Sequence, residues 1–209
     1  SVVTNPPVSL FREYVAQLVE HDKKFAIIGN MNAITYKEIF PLIAANKMWL
    51  GNGFHAGNAY FATPNVRDFA SGVYDEKTGL VKFRNVNWFT NIDHGRRHQP
   101  LSLMTMADNL KFNKKLRGKT EYDRYDNYDA IEVPYTIAIP SDYDGVMGVP
   151  ITIMDFYSPE QFEIIGMSAS WDEIDEMQSI KTSEKHRHGP ILEGIGMYRR
   201  IFIRKKVGA

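Results

Sequence analysis

Asn5-Pro6-Pro7-Val8 combines residue types and spacing that suit a particular chemistry. Two adjacent prolines fix φ and remove two backbone donors, so a strand that reaches them stops and is held in one rigid bend. The Asn5 side-chain oxygen and the carbonyl preceding or within the Pro6-Pro7 pair then stand as two hydrogen-bond acceptors on a frame that does not move. An amino group conjugated to a nucleobase or an amide is a poor nucleophile, because its lone pair is delocalised. Acceptors on both of its hydrogens let the nitrogen pyramidalise and aim that lone pair at a methyl donor. The same four residues, taken alone, also read as a plain strand terminator.

Other polar clusters carry weaker chemistry. The loop Asp93 to His98 is basic, and such runs are ordinarily solvated turns or phosphate contacts. His94, His98, His186 and His188 come in pairs without an acidic or cysteine framework at ligand spacing, so no metal site is expected. Asp142 and Asp144 resemble the start of a calcium loop, but Val, Gly and Pro follow where oxygen donors are needed, and a turn is expected instead. Tyr122, Tyr125, Tyr128 and Tyr135 have faces suited to stacking on bases or to packing a loop-rich core.

The elements that must hold Asn5 follow from local patterns. Val2-Val3 reads as a short strand, and Ser9 to Glu20 as a helix with Leu10, Tyr14, Val15 and Leu18 at helical spacing and Ser9 as its N-cap. KKFAIIGN predicts a strand buried on both faces, ITYKEIFPLIAANK a helix kinked or restarted at Pro41, and MWLGNG a third strand. Alternating strand and helix is the grammar of a parallel α/β sheet, with working loops beyond the carboxyl ends of its strands. GLVKFRNVNWFTN predicts two more strands near the end of that sheet, and the glycine strings GNGFHAGN and GVMGVP predict loops. Beyond Pro100 the text is irregular, with short strands and long ordered loops expected. GMYRRIFIRKK predicts a closing strand with a cationic face of Arg200, Arg204 and Lys206.

Composition narrows the class of protein. The chain has 209 residues, 44% of them hydrophobic, enough for one large domain or two small ones. Cysteine is absent, which excludes disulfide scaffolds, cysteine zinc sites and a cysteine nucleophile. Lys plus Arg and Asp plus Glu each total 25, so attraction to nucleic acid must come from a local basic surface. No apolar run approaches the ~18 residues that span a bilayer, and the N-terminus does not resemble a signal sequence, so a cytoplasmic protein without membrane contact is expected. The chain opens inside a strand at Ser1, so further sequence is expected before it.

TNPPVSLFREYV, DKKFAIIGNMNAITYKEIFPLI, NKMWLG, WFTNIDHGRRH, RYDNYDAIEV, IPSDYDGVMGVPIT and SPEQFEIIG, in this order, resemble the EcoRI-type adenine-specific DNA methylases. The resemblance implies a partial Rossmann-like methyltransferase sheet in residues 1–91 and a loop-rich, mixed α+β recognition part in residues 92–209. It also implies methyl transfer from S-adenosylmethionine to N6 of an adenine flipped out of double-stranded DNA. Asn5 and the Pro6 backbone would accept the two amino hydrogens, with Pro7 and Val8 completing the catalytic motif. The family usually has an aromatic that stacks on the base where this chain has Val8, so Phe11 or Tyr36 is expected to supply the missing face. Arg12, Lys37, Arg96, Arg97 and His98 are the cations expected at the DNA, and the main cofactor motif is expected upstream of Ser1. The competing readings are methylation of another planar amine, such as a glutamine side chain or an RNA base, and a degenerate methylase that binds DNA without catalysis.

Overall fold

The computed structural model describes residues 1–52, 54, 58–64, 69–168 and 189–208. His186, His188 and part of the GNGFHAGN string lie outside them. The chain divides into two compact units, Ser1–His94 and Gly95–Ala209.

In the first unit, β1 (Val2–Thr4) runs to the double proline, and a 3-10 turn over Val8–Leu10 leads into α1 (Phe11–Glu20). The buried stripe of α1 is Phe11, Val15 and Leu18, while Leu10 is exposed. Ser9 does not cap this helix: it lies inside the 3-10 turn, where the Leu10 N–H already donates to the Pro7 carbonyl at 3.0 Å. β2 (Phe25–Asn30) follows, with Phe25, Ile27 and Gly29 buried and the alternate residues half-buried. The expected second helix is a 3-10 stretch, Met31–Thr35, and then a short α2 (Phe40–Ala44). Pro41 sits in the first turn of α2, where its missing N–H costs nothing, so it restarts the helix and does not kink it.

After β3 (Trp49–Leu50) come β4 (Ala59–Ala62), β5 (Tyr74–Asp75), β6 (Leu80–Phe83) and β7 (Val86–Thr90). The main sheet has the order β1-β2-β7-β3. β1 and β2 are parallel, but β7 is antiparallel to both β2 and β3 and lies between them, so the expected all-parallel sheet is mixed. β7 is a central strand and not an end strand, with Phe89 fully buried. β6 belongs to a separate sheet, β4-β6-β5. The chain passes from one sheet to the other through Asn85, whose φ of 56° is a left-handed conformation that asparagine tolerates. Asn91, just past β7, accepts from the Phe25 N–H and donates to the Lys23 carbonyl, both at 2.9 Å, which ties the exit of β7 to the entrance of β2.

The second unit contains α3 (Met106–Phe112), β8 (Ile131–Glu132), β9 (Met147–Val149), β10 (Phe162–Met167), the hairpin β11 (Ile191–Leu192) and β12 (Ile195–Gly196), and β13 (Ile201–Lys205). Its sheet runs β10-β13-β9-β8. GVMGVP supplies β9 and is therefore not wholly a loop. β13 lacks the expected alternation: Ile201, Phe202 and Ile203 are all fully buried because β13 is a central strand covered on both faces. Two of the three cations expected to form a face are paired with acids, and only Lys206 stands exposed without an acidic partner among the described residues. Arg200 holds the buried Glu132 through two hydrogen bonds of 2.8 and 3.1 Å, and Arg204 meets Glu163 at 2.5 Å. Tyr125 and Tyr128 pack with Ala130, Ile165 and Phe202, and Tyr122 is also buried.

Candidate functional site

The parallel register of β1 and β2, Thr4 opposite Ile27, brings the carboxyl ends of both strands to one edge of the main sheet. There Asn5, Pro6 and Val8 line a cavity of about 630 Å³ together with Ile28, Gly29 and Asn30 at the end of β2. Pro6 is buried while Asn5 and Val8 are exposed, Val8 by 74%, so the bend is anchored at its proline and open at its polar and apolar ends. Pro7 is fixed at φ −55°, ψ 137° and its carbonyl is taken by Leu10. Among the described residues no backbone N–H donates to the Pro6 carbonyl. The bend thus leaves the Pro6 carbonyl without a backbone donor beside the exposed Asn5 side chain.

Phe11 and Tyr36 both line this cavity, but they differ in what they offer. Phe11 is 3% exposed and packs edge-on against Phe89, with ring centroids 5.1 Å apart and planes at 70°. It lies so close to Gly29 that a Cβ there would stand 2.5 Å from its ring, so glycine is what lets the helix start approach the strand. Tyr36 is half-buried and carries the Arg12 guanidinium 5.7 Å from its ring centre. Arg12 also pairs with Glu38 at 3.8 Å, and Lys37 is exposed beside them.

Sequence reading missed the cavity's other wall. Phe61, Ala62 and Thr63 at the end of β4, and Phe83 and Arg84 at the end of β6, form it. Phe61 and Phe83 are 43% and 48% exposed and meet edge to face at 5.6 Å and 72°. These are two aromatic faces open to a ligand in the same cavity as the exposed Val8. Arg84 is exposed beside them and makes no ion pair with the described residues. The available signal was the pair of aromatics in AYFA and LVKF, whose alternation fits one shared face, as the antiparallel register of β4 and β6 provides.

The loop residues expected at DNA belong to the second unit, in a 3-10 turn over Gly95–His98. Arg97 is 9% exposed, so little of it faces solvent. Arg96 lies 5.3 Å from the centre of the Phe156 ring, and His98 Nδ1 is 2.6 Å from Glu160. Slight burial of the Glu160 carboxyl opposes its ionisation, but hydrogen bonds from His98 and Ser158 outweigh that and hold it below the usual carboxylate range. His94 serves the fold of the first unit, with Nε2 2.9 Å from the Leu50 carbonyl. Among the described residues no three His, Asp or Glu side chains converge as a metal site requires. Asp142 accepts from the Met106 N–H at 2.7 Å and so fixes the start of α3.

The family described as adenine-specific methyltransferase EcoRI matches residues 1–206 of this chain. The Type II methyltransferase M.EcoRI of Escherichia coli is 45% identical over 177 residues, which cover 83% of this chain and 52% of that protein. M.MpnI of Mycoplasma pneumoniae is 32% identical, and M.MgeORF184P of Mycoplasma genitalium 31%, each over 98% of this chain and 64% of the relative. The chain therefore spans between about half and two thirds of the length of these curated relatives. No solved structure matches it.

Proposed function

Since the chain belongs to the EcoRI-type adenine-specific methyltransferase family, we propose that it holds the acceptor in a DNA adenine-N6 methyltransferase of restriction-modification type. The substrate is an adenine turned out of double-stranded DNA, the donor is S-adenosylmethionine, and the setting is the cytoplasm. Asn5 accepts one hydrogen of the adenine amino group and the Pro6 carbonyl accepts the other. Pro7 locks the bend, and Val8 covers the base edge without a π face. Residues 1–91 form the catalytic part, and residues 92–209 read the target. On this reading Arg12, Lys37, Arg96 and His98 lie toward the phosphates, while the buried Arg97 serves the fold.

The observation that carries the reading is that NPPV, in a chain of this family, opens onto a cavity with exposed aromatic faces. Phe61 and Phe83 take the stacking role in place of Phe11, which is spent on the core against Phe89, and Tyr36 lines the same cavity. The lining suits a planar base better than the donor. None of the lining residues is an acid, and a carboxylate is the group that ordinarily holds a ribose diol. On this reading none of the lining residues holds S-adenosylmethionine. No helix among the described residues is long and apolar enough to cross a membrane.

The test is transfer of a tritiated methyl group to duplex DNA by the full native polypeptide, followed by nucleoside analysis. Label in N6-methyladenine supports the reading. Label in a protein glutamine or in RNA would replace the substrate, and a cofactor-binding protein inactive on every adenine-containing duplex would make this a binding module.

A further inference from the structure

Five cations and no carboxylate lie between Asn109 and Thr120: Lys111, Lys114, Lys115, Arg117 and Lys119. All five are exposed. The segment is the end of α3 and the turn beyond it, and its backbone is well held. Asn113 closes the helix by donating to the Asn109 carbonyl at 2.9 Å, and its own carbonyl accepts from the Leu116 and Arg117 N–H groups at 3.1 and 2.9 Å. Asn109, Asn113 and Leu116 are buried and pin the turn from beneath, so the cations are carried outward on an ordered frame.

Their pairing separates them from the chain's other basic run. In residues 199–206, Arg200 is matched by Glu132, Arg204 by Glu163, and Lys205 by Asp144 and the Ser141 carbonyl. In the α3 turn only Lys119 has an acidic partner among the described residues, Asp123. Lys111, Lys114, Lys115 and Arg117 have none. The helix dipole accounts for Lys111 in the last turn of α3, but its effect fades within a turn and leaves the three cations beyond the cap unexplained. Two of the ammonium groups rest near aromatic rings, Lys115 at 4.1 Å from the centre of Tyr135 and Lys111 at 5.0 Å from that of Phe112. Phe112, Tyr135 and Ile137 are themselves exposed, by 56%, 37% and 70%. Unneutralised cations among exposed apolar side chains on a rigid turn match a polyanion with a partly apolar surface, as the sugar-phosphate backbone is.

We propose that the α3 turn, through Lys111, Lys114, Lys115 and Arg117, is a backbone-contact surface for duplex DNA. The choice of duplex DNA rests on the reading above. The contacts are to phosphate and carry no sequence information themselves, so they set affinity and its salt dependence.

The test uses the full native polypeptide and a fluorescent duplex of mixed sequence, with anisotropy titrations from about 50 to 200 mM salt. Each phosphate contact adds about 0.9 to the slope of log K against log salt, so replacing all four cations by Gln lowers the slope by roughly 3.6. Across that fourfold salt range the parent's affinity then falls about 150-fold more than the variant's. Lys23→Gln with Lys47→Gln, both exposed in the first unit, is the control and leaves the slope unchanged. Single Lys114→Gln and Arg117→Gln variants, each lowering the slope by about 0.9, serve if the fourfold variant loses its folded circular dichroism spectrum. An unchanged slope in the α3-turn variants, an equal loss per cation in the control, or no duplex binding by the parent at about 50 mM salt overturns the proposal. Methyl transfer is not read in this titration. A falling slope in a protein that methylates no duplex keeps the surface and retires the methyltransferase reading; a methylating protein with an unchanged slope does the reverse.

Discussion

Replacing Phe61 and Phe83 by alanine tests whether the aromatic wall does the work that Val8 cannot. Both rings are about half-exposed and touch each other edge to face, so removing them opens no buried void. Stability should change by no more than about 0.5 kcal/mol, as for surface positions generally. Stacking on a base is worth about 1–3 kcal/mol, and at roughly 1.4 kcal/mol per factor of ten the double variant should lose between 5- and 150-fold in kcat/KM. Val8 is 74% exposed, which leaves room for a ring, so Val8→Phe in the double-alanine background should restore a loss of the same order. The assay is tritium transfer to plasmid duplex over a range of DNA concentrations, with thermal melts alongside. Wild-type kcat/KM in the double variant, with an unchanged melt, would refute the stacking role of this wall.

Gly29→Ala should destabilise by about 1–3 kcal/mol in urea titrations and lower activity as well, because its Cβ would stand 2.5 Å from the Phe11 ring and 3.0 Å from that of Phe89. Arg200→Met should cost about 3–5 kcal/mol by leaving the Glu132 carboxylate buried and unpaired, and adding Glu132→Gln should recover much of it in the same titrations. Arg97→Ala should lower the melting temperature more than it alters DNA binding, since Arg97 is buried, whereas Arg96→Ala should reduce the salt slope by about 0.9. Glu160 is held below the usual carboxylate range by His98 and Ser158, against slight burial, so its contribution is present above its unfolded pKa and lost as pH falls through the lower folded one. Glu160→Gln should therefore flatten the acid limb of a melting profile by no more than about 0.5 kcal/mol, as expected for an exposed pair.

What could be read from the sequence was local. β1, β2 and β3 follow from short apolar runs, and the end of β1 follows from Pro6-Pro7, because proline limits the backbone whatever surrounds it. The position of β7 between β2 and β3 depends on pairings such as Ile28 with Trp88, sixty residues apart, which no local periodicity encodes. The cavity was half-legible for the same reason. Asn5 and Pro6 announce themselves, but Phe61 and Phe83 become a wall only once β4 and β6 pair. Charge was the least legible of all. The runs 111–119 and 199–206 look alike in composition, and they differ because Glu132 and Glu163 lie opposite β13 and its flank, while in the α3 turn only Lys119 meets an acid, Asp123, among the described residues.

The central claim is that Asn5 presents the acceptor on which methyl transfer depends, and turnover of Asn5 variants in the full native polypeptide tests it most directly. Asn5→Ala should lower kcat by a factor of about 10² or more, the scale seen when one preorganised polar partner is removed, while affinity for S-adenosylmethionine falls much less. Asn5→Asp keeps an acceptor oxygen at the same place and should retain far more activity than the alanine variant. Full turnover in Asn5→Ala, measured as tritium incorporated into duplex DNA, would contradict the account.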